Sequence, residues 1–398
     1  MSTMSQVPAP ESKLVHQILD IIAQEIGVSV NELSDESEFA DIGVDTILAH
    51  QIVKQVLATT GVAIDATSFE KATDVRNFKQ YVTKVGSSSL LRASQISESS
   101  SSVSNGGSQR TKPSAATKQS IAIRLQGDVD APQKLFLLPD GSGSAMAYAQ
   151  IPRLGSGIVV YGLNSPLLHQ GPEFDGTIED LAVKWAAEIR LVQPNGPYVL
   201  GGWSAGGYHS FEVAKQLMRE GESVEKLVLL DSPCRVVFEA LPMDVVNYLA
   251  AHNLMGNWGA RKTPQWLVDH FDATIAAVER YRPTPMTFPT MQMPEVFIIW
   301  ASDGLFPDEE KLQEHPQLCL KAEQTRVTKF LLQKRPKFGP HGWDQLFPNR
   351  KLAIATIPGH HFAVIHKPSV TQLGNLLLDI MRSKSKQISN PWRVVVPQ

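Results

Sequence analysis

At 398 residues the chain is long enough for two or three domains, and its 42% hydrophobic content can supply real cores. A net charge of −3 without a basic cluster argues against a nucleic-acid binder, and no apolar run is long enough to span a bilayer. The N-terminus shows no apolar secretory core, and the two cysteines, Cys234 and Cys319, lie far apart without metal-ligand spacing; a soluble, cytoplasmic protein with no metal site and no membrane or nucleic-acid partner is expected.

Residues 11–85 read as a small helical domain. Leu14, Ile18, Ile21, Ile22 and Ile26 mark one face of a helix that Gly27 can terminate. A second helix is expected from about Thr46 to Leu57, with Ile47, Leu48, Ile52 and Val56 at helical spacing, and a shorter one from Val75 to Val82. Twelve acidic against six basic side chains give this segment a net charge of −6. From 86 to 118 serine dominates, with Gly106-Gly107 and Pro113 as breakers, the composition of a flexible tether.

Residues 119–385 alternate short apolar runs with helical stretches. The runs are Leu135–Leu138, Ile158–Tyr161, Tyr198–Leu200, Leu227–Leu230, Val296–Trp300 and Leu352–Ile357; helices are expected at Ile178–Leu191 and Gly207–Glu220. Such alternation predicts a mostly parallel sheet covered on both faces. Between Asp231 and Glu295 only helical pieces occur, Thr263–Phe271 and Ala273–Tyr281, so about 235–290 reads as a lid above the sheet. Residues 386–398 form a tail whose Trp392 and valines 394–396 are suited to packing.

Gly202-Trp203-Ser204-Ala205-Gly206 is a G-x-S-x-G pentapeptide placed between a strand and a helix. Flanking glycines allow the sharp turn that presents a serine hydroxyl above a sheet edge. A serine hydroxyl needs a base to take its proton, and the base needs an acid to orient it. In α/β-hydrolases the acid and then the base follow the serine along the chain. Asp231, ending the run Leu227–Leu230, is the first candidate acid, and Asp303, one strand later, is the alternative. Gly359-His360-His361-Phe362 follows the last run; His361 is read as the base and His360 as a neighbour that packs or hydrogen-bonds, while His209 and His341 are read as structural. Two donors for a developing oxyanion are expected: the backbone N–H of Ala205 and that of Gly141, with Ser142 as the near alternative, in the loop 138–144.

These residues carry a resemblance. Gly-Trp-Ser-Ala-Gly-Gly, Leu-Leu-Asp-Ser-Pro at 229–233, Gly-Pro-His-Gly-Trp-Asp at 339–344, Gly-His-His-Phe and the Leu-Pro-Asp-Gly-Ser-Gly-Ser-Ala loop at 138–145 resemble a fungal polyketide synthase thioesterase domain, a group that includes Claisen-type cyclases. The resemblance implies an α/β-hydrolase fold with a helical lid and a triad of Ser204, Asp231 and His361, His360 standing where the family has an Asn. Residues 39–48, Phe-Ala-Asp-Ile-Gly-Val-Asp-Thr-Ile-Leu, resemble the attachment motif of an acyl carrier protein, a small all-α bundle. Thr46 stands where the family carries phosphopantetheine on serine, and its stiff, β-branched side chain is expected to take little or no arm, leaving a helix-capping role.

The whole chain thus resembles stand-alone carrier–thioesterase didomains that act in trans with fungal non-reducing polyketide synthases. No ketosynthase- or acyltransferase-like segment is visible in these residues. The resemblance implies that the polyketide thioester comes from the acyl-loaded carrier domain of a partner synthase, that the phosphopantetheine arm sits there and not on this chain, and that a resorcylic-type acid is released. Claisen cyclisation, ester or lactone formation, and a docking role for residues 11–85 are the competing expectations.

Overall fold

The computed structural model describes residues 10–26, 46–65, 67–72, 74–85, 121–167, 176–252, 254–255, 265–306, 308–383 and 391–396, together with Val30, Leu33, Asp35 and Phe39. The stretch 86–118, read as a tether, lies outside the described residues. Two compact units emerge, one within residues 1–118 and one built from 119–256 and 265–398.

Among the described residues the first unit shows the α-helices α1 (Pro10–Ile26), α2 (Thr46–Thr60), α3 (Thr67–Ala72) and α4 (residues 75–85). Pro10 opens α1, where its missing N–H costs nothing. Ile18 and Ile22 from α1, Ile52 and Val56 from α2, and Val75, Phe78 and Val82 from α4 are buried together. The helical spacing in the sequence therefore marks the core, and it misses only the short α3.

The second unit is built on an eight-stranded sheet in the order β1-β3-β2-β4-β5-β6-β7-β8. The strands are β1 (Ala122–Gln126), β2 (Gln133–Leu138), β3 (Ile158–Leu163), β4 (Tyr198–Trp203), β5 (Val224–Leu230), β6 (Glu295–Ala301), β7 (Leu352–Ile357) and β8 (Arg393–Val395). Strands β2 to β7 pair in parallel, and β1 and β8 close the edges antiparallel. Both edge strands are additions to the sequence reading. The supposed tail belongs to the sheet through β8, with Trp392 against Phe297 at 5.2 Å between ring centroids.

Alternate residues of the parallel strands feed two cores. Phe136, Leu138, Leu200 and Leu229 face α5 (Ile178–Val192) and α6 (Ala205–Arg219). Leu135, Leu137, Val199 and Val228 face the other core. That second core includes residues of α7 (Met243–Ala251), α9 (Glu309–Gln313), α10 (Pro316–Gln324), α11 (Arg326–Leu332) and α13 (Ser369–Arg382), α8 being Gln265–Arg280 and α12 Trp343–Leu346. Helix α8 is continuous where the sequence suggested two pieces. This is an α/β-hydrolase-type fold, with a helical carrier-like unit ahead of it in the chain. Among the described residues no helix is long and apolar enough to cross a membrane, and no group of three or more His, Cys, Asp or Glu could hold a metal ion.

Helix α5 starts with a reciprocal capping box between Thr177 and Asp180. Its Trp185 is fully buried, donates its indole N–H to the Asn164 carbonyl at 2.9 Å, and packs against His209 with ring centroids 4.6 Å apart and planes tilted by 40°. Trp185→Ala is expected to destabilise the sheet unit by about 3–5 kcal/mol, read as a lower urea midpoint for its unfolding; an unchanged midpoint would contradict the packing role.

Candidate active site

Strand β4 ends in Trp203, and α6 begins at Ala205, so the whole reversal falls on Ser204. Its φ of 56° and ψ of −123° lie in a region that side chains rarely adopt. Close packing enforces the turn. A Cβ on Gly202 would collide with the backbone of Gly206, and a Cβ on Gly206 would lie 2.5 Å from the Leu138 carbonyl oxygen. Gly207 packs against Ser232 in the same way.

Parallel register then brings the partners in. Ser204 N–H donates to Leu230 O at 3.0 Å, and Asp231 N–H donates to Ile299 O at 2.7 Å, which sets Asp231 beside the serine at the same sheet edge. His361, from the loop after β7, donates from Nδ1 to Asp231 Oδ2 at 2.8 Å, and its Nε2 lies 3.0 Å from Ser204 Oγ. The loop is held by Trp203, whose indole N–H donates to His361 O at 3.1 Å and whose ring lies 5.1 Å from the imidazole. With Nδ1 committed to a carboxylate, Nε2 is the ring nitrogen turned toward the serine hydroxyl.

Asp231 is only 1% exposed. Burial pushes its carboxyl up, but Arg335, His361 and the Ala301 N–H together hold it below the usual carboxylate range. Ala301 N–H donates to Oδ1 at 2.9 Å, and so does Arg335 Nη2, also at 2.9 Å. The alternative acid, Asp303, is engaged elsewhere: its Oδ2 accepts from Gly359 N–H at 2.9 Å, and its own N–H donates to Gly359 O at 3.0 Å. It braces the histidine loop rather than the histidine. Neighbouring His360 has a buried Nδ1 with no partner among the described residues, and its O accepts from Ala363 N–H at 2.8 Å.

The loop after β2 faces the start of α6. Tyr148 joins the two by donating to Leu138 O at 2.5 Å and accepting from Trp203 N–H at 2.8 Å. Asp140 is buried, and that burial raises its carboxyl to about 6 against the donors of Ser142. The Ser142 hydroxyl donates to Asp140 Oδ1 at 2.5 Å. Two histidines grip the loop carbonyls, and since a carbonyl only accepts, each donates from Nδ1. His209 reaches Pro139 O at 2.8 Å, and His270 on α8 reaches Gly141 O at 3.1 Å. Burial, with the neighbouring His270, lowers His209 to about 4, so it stays neutral as a strut. A cavity beside this loop is lined by Pro139, Ser165, Leu181, Trp185, His209 and His270. His341 packs 5.2 Å from Trp300, away from these groups.

Sequence reasoning passed over Arg335, which sits in Lys334-Arg335-Pro336-Lys337 and reads there as a solvated basic run. It also passed over His270 on α8, which no motif marks. Thr46 is the first residue of α2; residues 41–45 before it lie outside the described residues.

With this geometry, comparison with known proteins is informative. Residues 133–248 match the family model of the thioesterase domain, and residues 16–82 match that of the phosphopantetheine attachment site. The chain is 34% identical over 382 residues to the non-reducing polyketide synthase terA of Aspergillus terreus, across 92% of this chain and 18% of that protein. It is 35% identical over 381 residues to the bikaverin polyketide synthase bik1 of Gibberella fujikuroi, across 91% of this chain and 18% of that protein. The chain thus spans less than a fifth of the length of these curated relatives. Among solved structures, holo-AB3403, a four-domain nonribosomal peptide synthetase, is similar with a TM-score of 0.52 at 20% identity, over 96% of this chain and 27% of that one, a likeness of fold.

The chain therefore contains a thioesterase domain, a hydrolase-type enzyme related to polyketide synthase release domains. Ahead of it in the chain lies a carrier domain of the phosphopantetheine-attachment kind. That second match corrects one expectation: a domain of this kind carries the arm, contrary to the reading that placed the arm only on a partner. The attachment needs an alcohol oxygen at the start of the second helix, and Thr46, opening α2, supplies a secondary one.

Gly202→Ala should force the elbow open. A loss of about 1–3 kcal/mol in urea unfolding, with loss of thioesterase activity, is expected; wild-type stability and activity would show that the turn tolerates a side chain.

Proposed function

We propose that this chain releases a polyketide from a carrier-bound thioester by serine catalysis, with Ser204 as nucleophile, His361 as base and Asp231 as the orienting acid. The observation that carries this is the continuous hydrogen-bonded line from Ser204 Oγ through His361 to Asp231, at 3.0 and 2.8 Å. His361 Nε2 takes the serine proton as Oγ attacks the thioester carbonyl. The carbonyl oxygen becomes an oxyanion, for which we assign the N–H of Ala205, at the positive end of α6, and that of Gly141. Gly141 is preferred to Ser142 because Ser142 directs its hydroxyl and its backbone N–H to Asp140. The intermediate collapses, the C–S bond breaks, and the thiol leaves with the proton from His361. Water, deprotonated by the same imidazole, then attacks the acyl-serine and frees the carboxylic acid.

The polyketide substrate class is supported by the relatives, which are polyketide synthases. In this proposal the acyl group arrives in trans, from the loaded carrier domain of a partner non-reducing synthase, and leaves as a resorcylic-type acid. The carrier-like unit, net charge −6 in residues 11–85, brings the two proteins together and raises the local concentration of thioester. The proposal sets the enzyme in the cytoplasm.

Ser204→Ala should lower turnover of an acyl thioester by roughly a factor of 10⁶, with release from an added synthase followed by mass spectrometry. Continued release would end the serine reading. A product closed through a new carbon–carbon bond would identify a cyclase, and an ester or lactone would identify transfer to an alcohol. Treating the chain with coenzyme A and a phosphopantetheinyl transferase, then weighing it intact, reports whether Thr46 takes the arm.

Asp231→Asn should reduce kcat by roughly a factor of 10⁴, whereas Asp303→Asn, still able to accept from Gly359, should cost less than about tenfold. The reverse order would move the acid to β6.

A further inference from the structure

Arg335 follows α11 and is 8% exposed. Its Nη2 donates to Asp231 Oδ1 at 2.9 Å and also to the Ala301 carbonyl. The guanidinium lies 4.0 Å from the Phe330 ring centroid, with Trp300 at 5.5 Å and Phe338 at 5.8 Å. Its Nε and Nη1 have no hydrogen-bond partner among the described residues. A buried cation held through one nitrogen and aromatic faces is a poor device for stability alone, since apolar side chains of similar volume usually serve as well or better. The chemistry of its single anionic partner gives a reason for keeping it.

We propose that Arg335 is a positioning residue for the Ser204–His361–Asp231 line: it fixes the Asp231 carboxylate so that Oδ2 faces His361 Nδ1, and it counterbalances the carboxylate charge. The inference rests on the serine reading above. Asp231 has four hydrogen-bonding directions to fill, and three are taken, by His361 at Oδ2 and by Ala301 N–H and Arg335 at Oδ1. Without Arg335, Oδ1 keeps one neutral donor, and the carboxylate is free to rotate about its χ2.

The charge argument has a direction. Asp231 faces Arg335 from the loop after α11 and His361 from the loop after β7, while His341 and His360 also feel its charge. His361 in turn faces Asp231 and lies within the field of Asp140 and of His360. Removing the cation leaves the full Asp231 charge to hold a proton on the imidazole. It also removes one of the groups that keep buried Asp231 ionised. Both consequences move the acid limb of the pH–rate profile to higher pH.

The test compares Arg335→Met, Arg335→Lys and Arg335→Gln in the full chain, with an N-acetylcysteamine acyl thioester as substrate. Arg335→Met is expected to lower kcat by about tenfold or more, to leave KM within about twofold, and to shift the acid limb of kcat/KM upward. Arg335→Lys should restore the limb and part of kcat; Arg335→Gln, neutral but able to donate, should restore kcat more than the limb. Melting curves identify any variant that fails to fold, and the remaining two then decide. Wild-type kcat and limb in the Met variant would overturn the proposal, as would equal losses in all three with the limb unmoved. A fluorophosphonate label mapped by peptide mass spectrometry separates the two readings: a label away from Ser204 in the wild type would sink the serine reading, whatever Arg335 does.

Discussion

A carboxylate taken out of water has to be neutralised by what surrounds it, and the upper edge of this sheet is organised around that requirement at Asp231. Backbone, imidazole and guanidinium all converge on one buried side chain. Each comes from a different part of the chain: the end of β6, the loop after β7 and the loop after α11. Packing those three segments together is what orders the edge, and the serine on its strained turn is set against the result. The position of His361 depends on the same carboxylate. A base without it would sample the wrong tautomer and the wrong rotamer.

The loop after β2 is built on a second principle, control of peptide direction by gripping carbonyls. Pro139 O and Gly141 O each accept from a histidine, one on α6 and one on α8. In a trans peptide the N–H of the next residue points opposite to the carbonyl, so holding Pro139 O and Gly141 O fixes the peptides on either side of the Gly141 N–H. Phe271 leaves no room for a side chain at Gly141, whose Cβ would lie 2.7 Å from the phenyl ring. Helix α8 therefore helps shape the loop after β2, through His270 and Phe271.

Much of this was legible in the sequence, for identifiable reasons. The elbow could be read because a strand, paired glycines and a helix meet at Ser204, and few other structures ask for that combination. The six parallel strands announced themselves as apolar runs buried on both faces. Choosing between Asp231 and Asp303 was beyond local pattern, since both end apolar strands; sheet register sets Asp231 beside Ser204, while Asp303 is committed to Gly359. Strands β1 and β8 are short, partly exposed edges: β1 shows no continuous apolar run, and the valines ending β8 read as a packed tail rather than a strand. Arg335 lay hidden in a basic run, because burial among three aromatic rings is a tertiary fact. On the carrier unit, local chemistry at Thr46 argued against an arm, whereas the pattern over residues 16–82 matches an attachment domain.

The central claim is that the acyl chain passes through a covalent bond to Ser204. Mixing the protein with a polyketide-type acyl thioester, quenching within the first turnovers and sequencing the modified peptide by mass spectrometry tests it most directly. The account predicts an acyl ester on the peptide holding Gly202-Trp203-Ser204, formed before free acid accumulates and absent from Ser204→Ala. Release of acid with no such adduct, or an adduct on another residue, would contradict it.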